Sequence, residues 1–277
     1  MSVTKRKFKQ NFNHMLQRDV AGLNMNIICL ATVTLAPDWF RDNARQPYVR
    51  MYYIQSGYAE IHYRGKQIDL TPGNIYIIPS ELDYGYSCPD ECFKLFCHFT
   101  LLRHDYQDMF AKVKECIVLE NKTDTVNEAI ECFKKGDPIS SVRLKMILQE
   151  SAFEGILKSG IDFSQFAKHS PLIESAIALI TENCRISLTA AELAEKLCIT
   201  PSALQKQFKA EVGTPIGKYI KTAVLHRAEI DIRSTDKPIK DISESYGFTD
   251  QFYFSRLFKK SYYLAPSVYR KRRYIGE

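Results

Sequence analysis

Leu188-Thr-Ala-Ala-Glu-Leu-Ala-Glu-Lys-Leu-Cys-Ile-Thr-Pro-Ser-Ala-Leu-Gln-Lys-Gln-Phe-Lys209 and Ile239-Lys-Asp-Ile-Ser-Glu-Ser-Tyr-Gly-Phe-Thr-Asp-Gln-Phe-Tyr-Phe-Ser-Arg-Leu-Phe-Lys-Lys260 each read as two short helices joined by a tight turn. In the first stretch an amphipathic helix runs to about Leu197, and the turn is Cys198-Ile199-Thr200. Thr200 suits the N-cap of the second helix, and Pro201 suits its first position, where no backbone donor is needed. Leu204 and Phe208, four apart, face inward and leave Ser202, Gln205, Lys206 and Lys209 outside. In the second stretch Ile239, Ile242, Phe248, Phe254 and Phe258 are the core candidates. Gly247 suits a turn that needs positive φ, and Thr249 or Asp250 suits the cap. Gln251, Tyr253, Ser255, Arg256 and Lys260 remain for the outer side. Arg reads guanine, Gln reads adenine, and Lys and Ser contact phosphates, so both outer faces suit double-stranded DNA.

The units align at an offset of 49 residues when Ala194 is laid on Ser243 and Cys198 on Gly247. The first position needs a small residue where the helices cross, and the second a residue that tolerates the turn. Many helical hairpins imitate one such unit, but two at fixed spacing are far more specific. Ile216, Tyr219, Ile220, Val224 and Leu225 mark residues 214–236 mainly as one connecting helix. Residues 170–277 carry 17 Lys and Arg against 12 Asp and Glu, whereas residues 1–169 carry 21 against 20. A basic C-terminal third fits a polyanionic partner.

These residues resemble the AraC/XylS family of bacterial transcription regulators. The match spans residues 172–273. Its most specific part is Pro238-Ile239, Ile242, Tyr246-Gly247-Phe248, Tyr253 through Lys260, Pro266-Ser267 and Tyr269-Arg270. Leu188, Leu193, Ala194, Leu197, Pro201, Leu204, Phe208, Lys209 and Arg227-Ala228 agree as well. The resemblance implies two recognition helices in successive major-groove segments. It assigns DNA reading to Ser202, Gln205, Lys206, Asp250, Gln251, Tyr253 and Arg256. Three residues depart from the family pattern: Cys198 and Tyr263 stand where Gly is usual, and Asp231 where a core Leu is common. A buried unpaired carboxylate at Asp231 would be costly. Asp250, an acid close to phosphates, reads as a helix cap at least as readily as a base contact.

The first half reads as strands over residues 48–54, 58–63, 67–70, 74–78 and 93–99, with Gly and Pro turns between them. This is the pattern of a β-sandwich or barrel. Tyr53-Ile54, Gly57, Leu70, Pro72-Gly73, Ile77-Ile78-Pro79 and His98-Phe99 resemble the cupin-type sensor barrel of the same family, over about residues 25–102. Metal-binding cupins place spaced histidines on the strands. Here Asp83 and Tyr84 stand near such a position and no HxH element occurs, so neither a metal centre nor another cofactor is expected. Adjacent strand residues Cys97 and His98 point to opposite faces, which argues against a zinc site with Cys88 and Cys92. Lys94, Phe96 and His98 alternate and share a face. With Trp39, Arg50 and Tyr84 they offer an aromatic wall and polar groups for a small-molecule effector such as a sugar.

Helical character begins near residue 105, over residues 107–117 and 124–135, and then from about Ser140 to Lys158. Ile139, Val142, Met146, Phe153 and Leu157 form a stripe at helix or heptad spacing, interrupted by Gln149. The stripe serves either packing against the barrel or homodimerisation. Residues 161–170 read as a linker. The expected fold is α+β and multidomain: a cupin-like barrel over 1–102, a helical dimerisation region over 103–164, and an all-α DNA-binding domain over 165–277.

Hydrophobic residues are 45% and charged residues 25% of the 277, which excludes a disordered chain. No apolar run reaches membrane-spanning length, and the basic N-terminus lacks the apolar core of a secretory signal. The eight cysteines are scattered. Together these features suggest a cytoplasmic chain with reduced thiols. No GxSxG, Walker loop, GxGxxG or HExxH occurs, so no enzyme is expected. The reading is an effector-responsive transcription activator acting on promoter DNA, with RNA polymerase as a further contact. The alternatives are a small-molecule or metal cupin enzyme with a DNA-binding appendage, and a regulator controlled by abundance alone.

Overall fold

The computed structural model describes residues 23–103, 106–161, 169–262 and 264–271. Tyr263, the basic N-terminus over residues 1–22 and most of the expected linker lie outside the described residues. The strands are β1 (Asn24–Leu35), β2 (Arg41–Ala44), β3 (Val49–Gly57), β4 (Ala59–Tyr63), β5 (Lys66–Leu70), β6 (Ile75–Ile78), β7 (Tyr84–Ser87), β8 (Cys92–Leu102) and β9 (Ile117–Leu119). They form two antiparallel sheets, ordered β1-β8-β3-β6-β9 and β2-β7-β4-β5. Strand periodicity gives the first sheet two different faces. Val49, Met51 and Tyr53 of β3, with Leu95, Cys97 and Phe99 of β8, enter one apolar core. Tyr52 and Ile54 enter a second core, shared with Ile61, Leu70 and Tyr84 of the other sheet.

The sheets therefore stack as a sandwich, and the expected closed barrel is not formed among the described residues. The ladder bonds of β3 go to β6 and β8, and those of β4 go to β5 and β7. Among the described residues no ladder joins an edge strand of one sheet to an edge strand of the other. The chain crosses between them after Gly57, whose φ is +79°; a Cβ there would strike the Glu91 carbonyl.

The helix expected over residues 107–117 is absent. Asp108 accepts from Phe110 N at 3.0 Å and from the Ser80 hydroxyl, which ties this segment into a turn. The chain then adds β9 to the sheet beside β6. α1 (Thr123–Lys135) and α2 (Pro138–Lys158) follow. Asp137 caps α2, accepting from Ile139 N and Ser140 N at 3.0 Å. α2 buries Leu144, Ile147, Leu148, Ala152 and Ile156 in the first core. On its opposite side Ile139, Val142, Met146 and Leu157 are exposed, and Phe153 is half-buried.

The C-terminal helices are α3 (Pro171–Glu182), α4 (Ala190–Lys196), α5 (Pro201–Val212), α6 (Ile216–Ser234), α7 (Ile239–Ser245), α8 (Gln251–Tyr262) and α9 (Pro266–Lys271). They share a third core around Ile180, Phe208, Tyr219, Phe254 and Phe258. Tyr106 of the N-terminal half packs edge-on against Tyr219 and His226 of α6, with ring centroids 5.9 and 5.4 Å away. Among the described residues no helix is long and apolar enough to cross a membrane.

Candidate nucleic-acid interface and sensor site

α4 starts in a capping box. Glu192 N donates to Thr189 Oγ1 at 3.2 Å, and Thr189 N donates to Glu192 Oε2 at 2.8 Å. Ala194 is buried where α4 meets α5. Cys198 takes the turn with φ +54°, a left-handed conformation that Gly adopts without cost. Thr200 Oγ1 then accepts from Ala203 N at 3.3 Å, with Pro201 in the first helical position as expected. Leu204, Phe208 and Val212 point into the core. Ser202, Gln205, Lys206 and Lys209 are all exposed and share the opposite face.

α7 and α8 repeat this plan with one difference. Ser243 is buried at the helix crossing and Gly247 turns with φ +78°, each 49 residues after its counterpart. The buried residues of α8 are Phe254, Phe258 and Tyr262, each 50 residues after Leu204, Phe208 and Val212. The second turn is thus one residue longer, and the uniform offset of 49 does not hold beyond it. Asp250 takes the place of Thr200, its Oδ1 accepting from Phe252 N at 2.7 Å as a cap does.

This shift changes which side chains face outward. Gln251, Tyr253, Arg256 and Lys260 are exposed, as expected. Ser255 is half-buried at the flank of the face rather than at its centre. Phe252, 77% exposed, and Lys259 join the outer face. The sequence reading missed both as DNA-facing candidates. The 50-residue spacing of the inward Phe residues was the signal for them. Arg256 reaches back to within 3.9 Å of Asp250.

α6 resolves the doubtful acid. Asp231 accepts from the Tyr246 hydroxyl at 2.8 Å, so the carboxylate is paired with the second unit. Two residues earlier, buried Glu229 accepts from Tyr269 Oη at 2.8 Å and lies 3.4 Å from Arg233 Nε. Burial raises the Glu229 pKa, while Arg233 and Tyr269 oppose that rise.

In the sandwich, all six effector candidates gather around the space between the sheets. Lys94 Nζ lies 4.2 Å from the Trp39 ring centroid and 3.4 Å from that of Tyr52. Arg50 Cζ lies 5.4 Å from Tyr84. His98 stacks on Tyr48 and lies tilted against Phe96, both ring centroids 4.9 Å away. Trp39 stacks on Tyr86 at 4.2 Å. Burial pushes the Lys94 pKa down to about 7, and burial with the nearby cations Arg50 and Lys94 pushes His98 down to about 3. Cys97 faces the helices, on the other side of β8 from His98, so the two do not converge. Two surface clefts lie elsewhere: about 270 Å³ beside Arg185, Glu192 and Lys196, and about 210 Å³ beside Arg64, Glu81 and Lys114.

Two capped helix-turn-helix units, each with a cationic outer face, define a DNA-binding transcription regulator. The helix-turn-helix domain family matches residues 193–272. The regulatory protein SoxS of Escherichia coli strain K12 is 33% identical over 104 residues, 38% of this chain and 97% of SoxS. The arabinose operon regulatory protein of the same strain is 26% identical over 132 residues, 46% of this chain and 45% of that protein. A solved structure of ToxT from Vibrio cholerae aligns with 90% of this chain and 98% of its own, at 15% identity and a TM-score of 0.48. The chain belongs to the AraC/XylS family.

Proposed function

We propose that this regulator activates bacterial promoters in response to a small molecule held inside a cupin-like sandwich. The domain division is sensor 1–102, helical region 103–164 and DNA-binding domain 165–277. In this reading α5 and α8 enter successive major-groove segments. Ser202, Gln205, Lys206, Lys209, Gln251, Tyr253, Arg256 and Lys260 face the DNA, Asp250 and Ser255 flank it, and Phe252 and Lys259 join them. The observation that carries the reading is the pair of helices whose inner residues are buried and whose outer residues, Phe252 apart, are polar or cationic. The protein acts in the cytoplasm, makes contact with RNA polymerase, and is not an enzyme.

The exposed apolar side chains of α2 support a homodimer. Ile139 to Leu157 spans about 27 Å of helix at 1.5 Å per residue, and along it Ile139, Val142, Met146 and Leu157 are exposed while Phe153 packs partly against the first core. Gln149 within the stripe suits a register-setting polar position. Placing Glu at both Ile139 and Met146 should leave the fold intact and yield a monomer in sedimentation.

The deciding experiment selects bound sequences from a random DNA pool with the full-length protein, then titrates the winner at several salt concentrations. Two short motifs about 10–10.5 base pairs apart with a steep salt slope support two-helix reading. Recovery of one motif, or of none with residues 165–277 alone, overturns it.

A further inference from the structure

Lys94 and Arg50 are cations buried without an acid. Lys94 is 2% exposed and Arg50 9%. Among the described residues neither forms an ion pair. Among the described residues the Lys94 ammonium has the Tyr52 and Trp39 rings beside it. Arg50 lies over the Tyr48 and Tyr84 rings, with Nη2 3.5 Å from the Tyr48 hydroxyl. Arg50 Nε and the Tyr84 hydroxyl have no hydrogen-bond partner. A cation–π contact returns only part of what burying an ion costs. The two cations also repel each other, and burial keeps the neighbouring Cys92 thiol protonated, its pKa raised to about 11. Arg50 stays charged at any physiological pH. The interior thus holds uncompensated positive charge, hydrogen-bonding groups without partners, and aromatic walls.

We infer that this interior binds a small organic acid, its carboxylate or phosphate oxygens taken by Arg50 and Lys94 and its flat apolar body lying against Trp39, Tyr84 and Phe96. The inference rests on the effector reading above and names the class of effector. A neutral sugar would leave the Arg50 charge uncompensated and give the buried Lys94 amine no anion to restore its proton, so the acid replaces the sugar expected from aromatic content. Trp39 lies on the connection between β1 and β2. Its displacement uncovers the Lys94 ammonium without breaking a ladder.

The test uses the full-length protein with benzoate and phenyl phosphate as probes, and benzamide and glucose as neutral controls, at matched ionic strength. The readouts are fluorescence of Trp39, the single tryptophan, melting temperature, and affinity for the selected operator. Saturable responses to benzoate or phenyl phosphate, and none to the neutral pair, support the inference; the stronger of the two acids identifies the oxygens preferred. Lys94→Met removes a buried amine that has no acid beside it. It should melt higher than wild type without ligand and bind both acids on the order of tenfold more weakly or worse. Exposed Lys66→Met should bind them as wild type does. Silence of both acids, a response to the neutral pair alone, or undiminished acid binding by Lys94→Met overturns the inference. If glucose alone shifts operator affinity, the effector reading survives and the acid inference falls. If acids bind through Lys94 yet leave operator affinity unchanged, the acid site stands and the effector reading falls, since coupling is reciprocal.

Discussion

Where α5 presents Ser202, Gln205, Lys206 and Lys209, α8 presents Phe252, Tyr253, Arg256, Lys259 and Lys260. Beneath those faces the two units are alike. Ala194 and Ser243 sit at the helix crossings, Leu204 and Phe254 fill the next layer, and Phe208 and Phe258 the one after. Each first helix is seven residues and each second helix is twelve. The repeat thus keeps what packing demands and frees what solvent sees. The second unit spends that freedom on a guanidinium and two aromatics, side chains with more reach for base edges than Ser or Gln. We expect it to carry most of the sequence discrimination, with the first unit contributing more of the backbone anchoring.

Arg256→Ala tests this most directly. Its side chain is 71% exposed and its nearest acid is 3.9 Å away, so the melting temperature should not move. Specific affinity should fall by about 1–3 kcal/mol, with preference relaxed at one base pair. Lys206→Ala should instead weaken binding on every sequence alike and reduce the salt slope by about 1. Competition binding against a panel of single-base operator variants separates the two outcomes. If Lys206→Ala relaxes a base and Arg256→Ala does not, the division of labour between the units is the reverse of that argued above.

Gly247→Ala comes next and concerns stability. The turn holds φ at +78°, where an L side chain costs about 1–2 kcal/mol. The added Cβ would sit 3.4 Å from Arg185 Cβ, ordinary contact, so strain alone sets the effect. The urea midpoint should drop accordingly while the DNA motif stays the same. Phe252 carries a smaller prediction. An exposed Phe on a DNA-facing helix suits a thymine methyl. Replacing the contacted thymine by uracil should cost about 0.8 kcal/mol, the worth of one buried methylene-sized group. Phe252→Ala should abolish that difference, and a persisting thymine preference would exclude the contact.

The helix-turn-helix units were legible because their determinants are local. Thr200, Pro201 and Gly247 state caps and turns within a few residues, and the Leu and Phe spacings state the inner face. The strands at 48–54 and 93–99 were legible through their Tyr, Val, Ile and Phe content. Arg41-Asp-Asn-Ala44 and Tyr84-Gly-Tyr-Ser87 were not, because they become strands only by pairing with each other and with β4. β9 escaped for the same reason, gaining its ladder from β6 across 40 residues of chain. The shared face of Lys94, Phe96 and His98 was legible from alternation along β8; the approach of Trp39, Arg50 and Tyr84 was not, since they come from the β1–β2 connection, β3 and β7. The missing counter-charge around Lys94 was not, since it depends on which acids the other sheet brings near. The longer second turn was legible in principle: Leu204 to Phe254 spans 50 residues while Ala194 to Ser243 spans 49.

The smallest expected effect sharpens the comparison from the other unit. Cys198 holds φ +54° where the second unit has Gly247 at φ +78°. A non-glycine residue in that region costs about 1–2 kcal/mol, and glycine returns part of this as backbone entropy, about 0.5–1 kcal/mol. Cys198→Gly should therefore stabilise the protein by about 0.5 kcal/mol, read as a rise in the urea midpoint at unchanged slope. The side chain is exposed and its backbone N–H, which donates to the Glu195 carbonyl at 3.1 Å, survives the change. Nothing else should be lost, and the selected DNA motif should be identical. A fall in stability would mean that the thiol makes a contact worth more than the strain it imposes. The two turns would then be equivalent in backbone only.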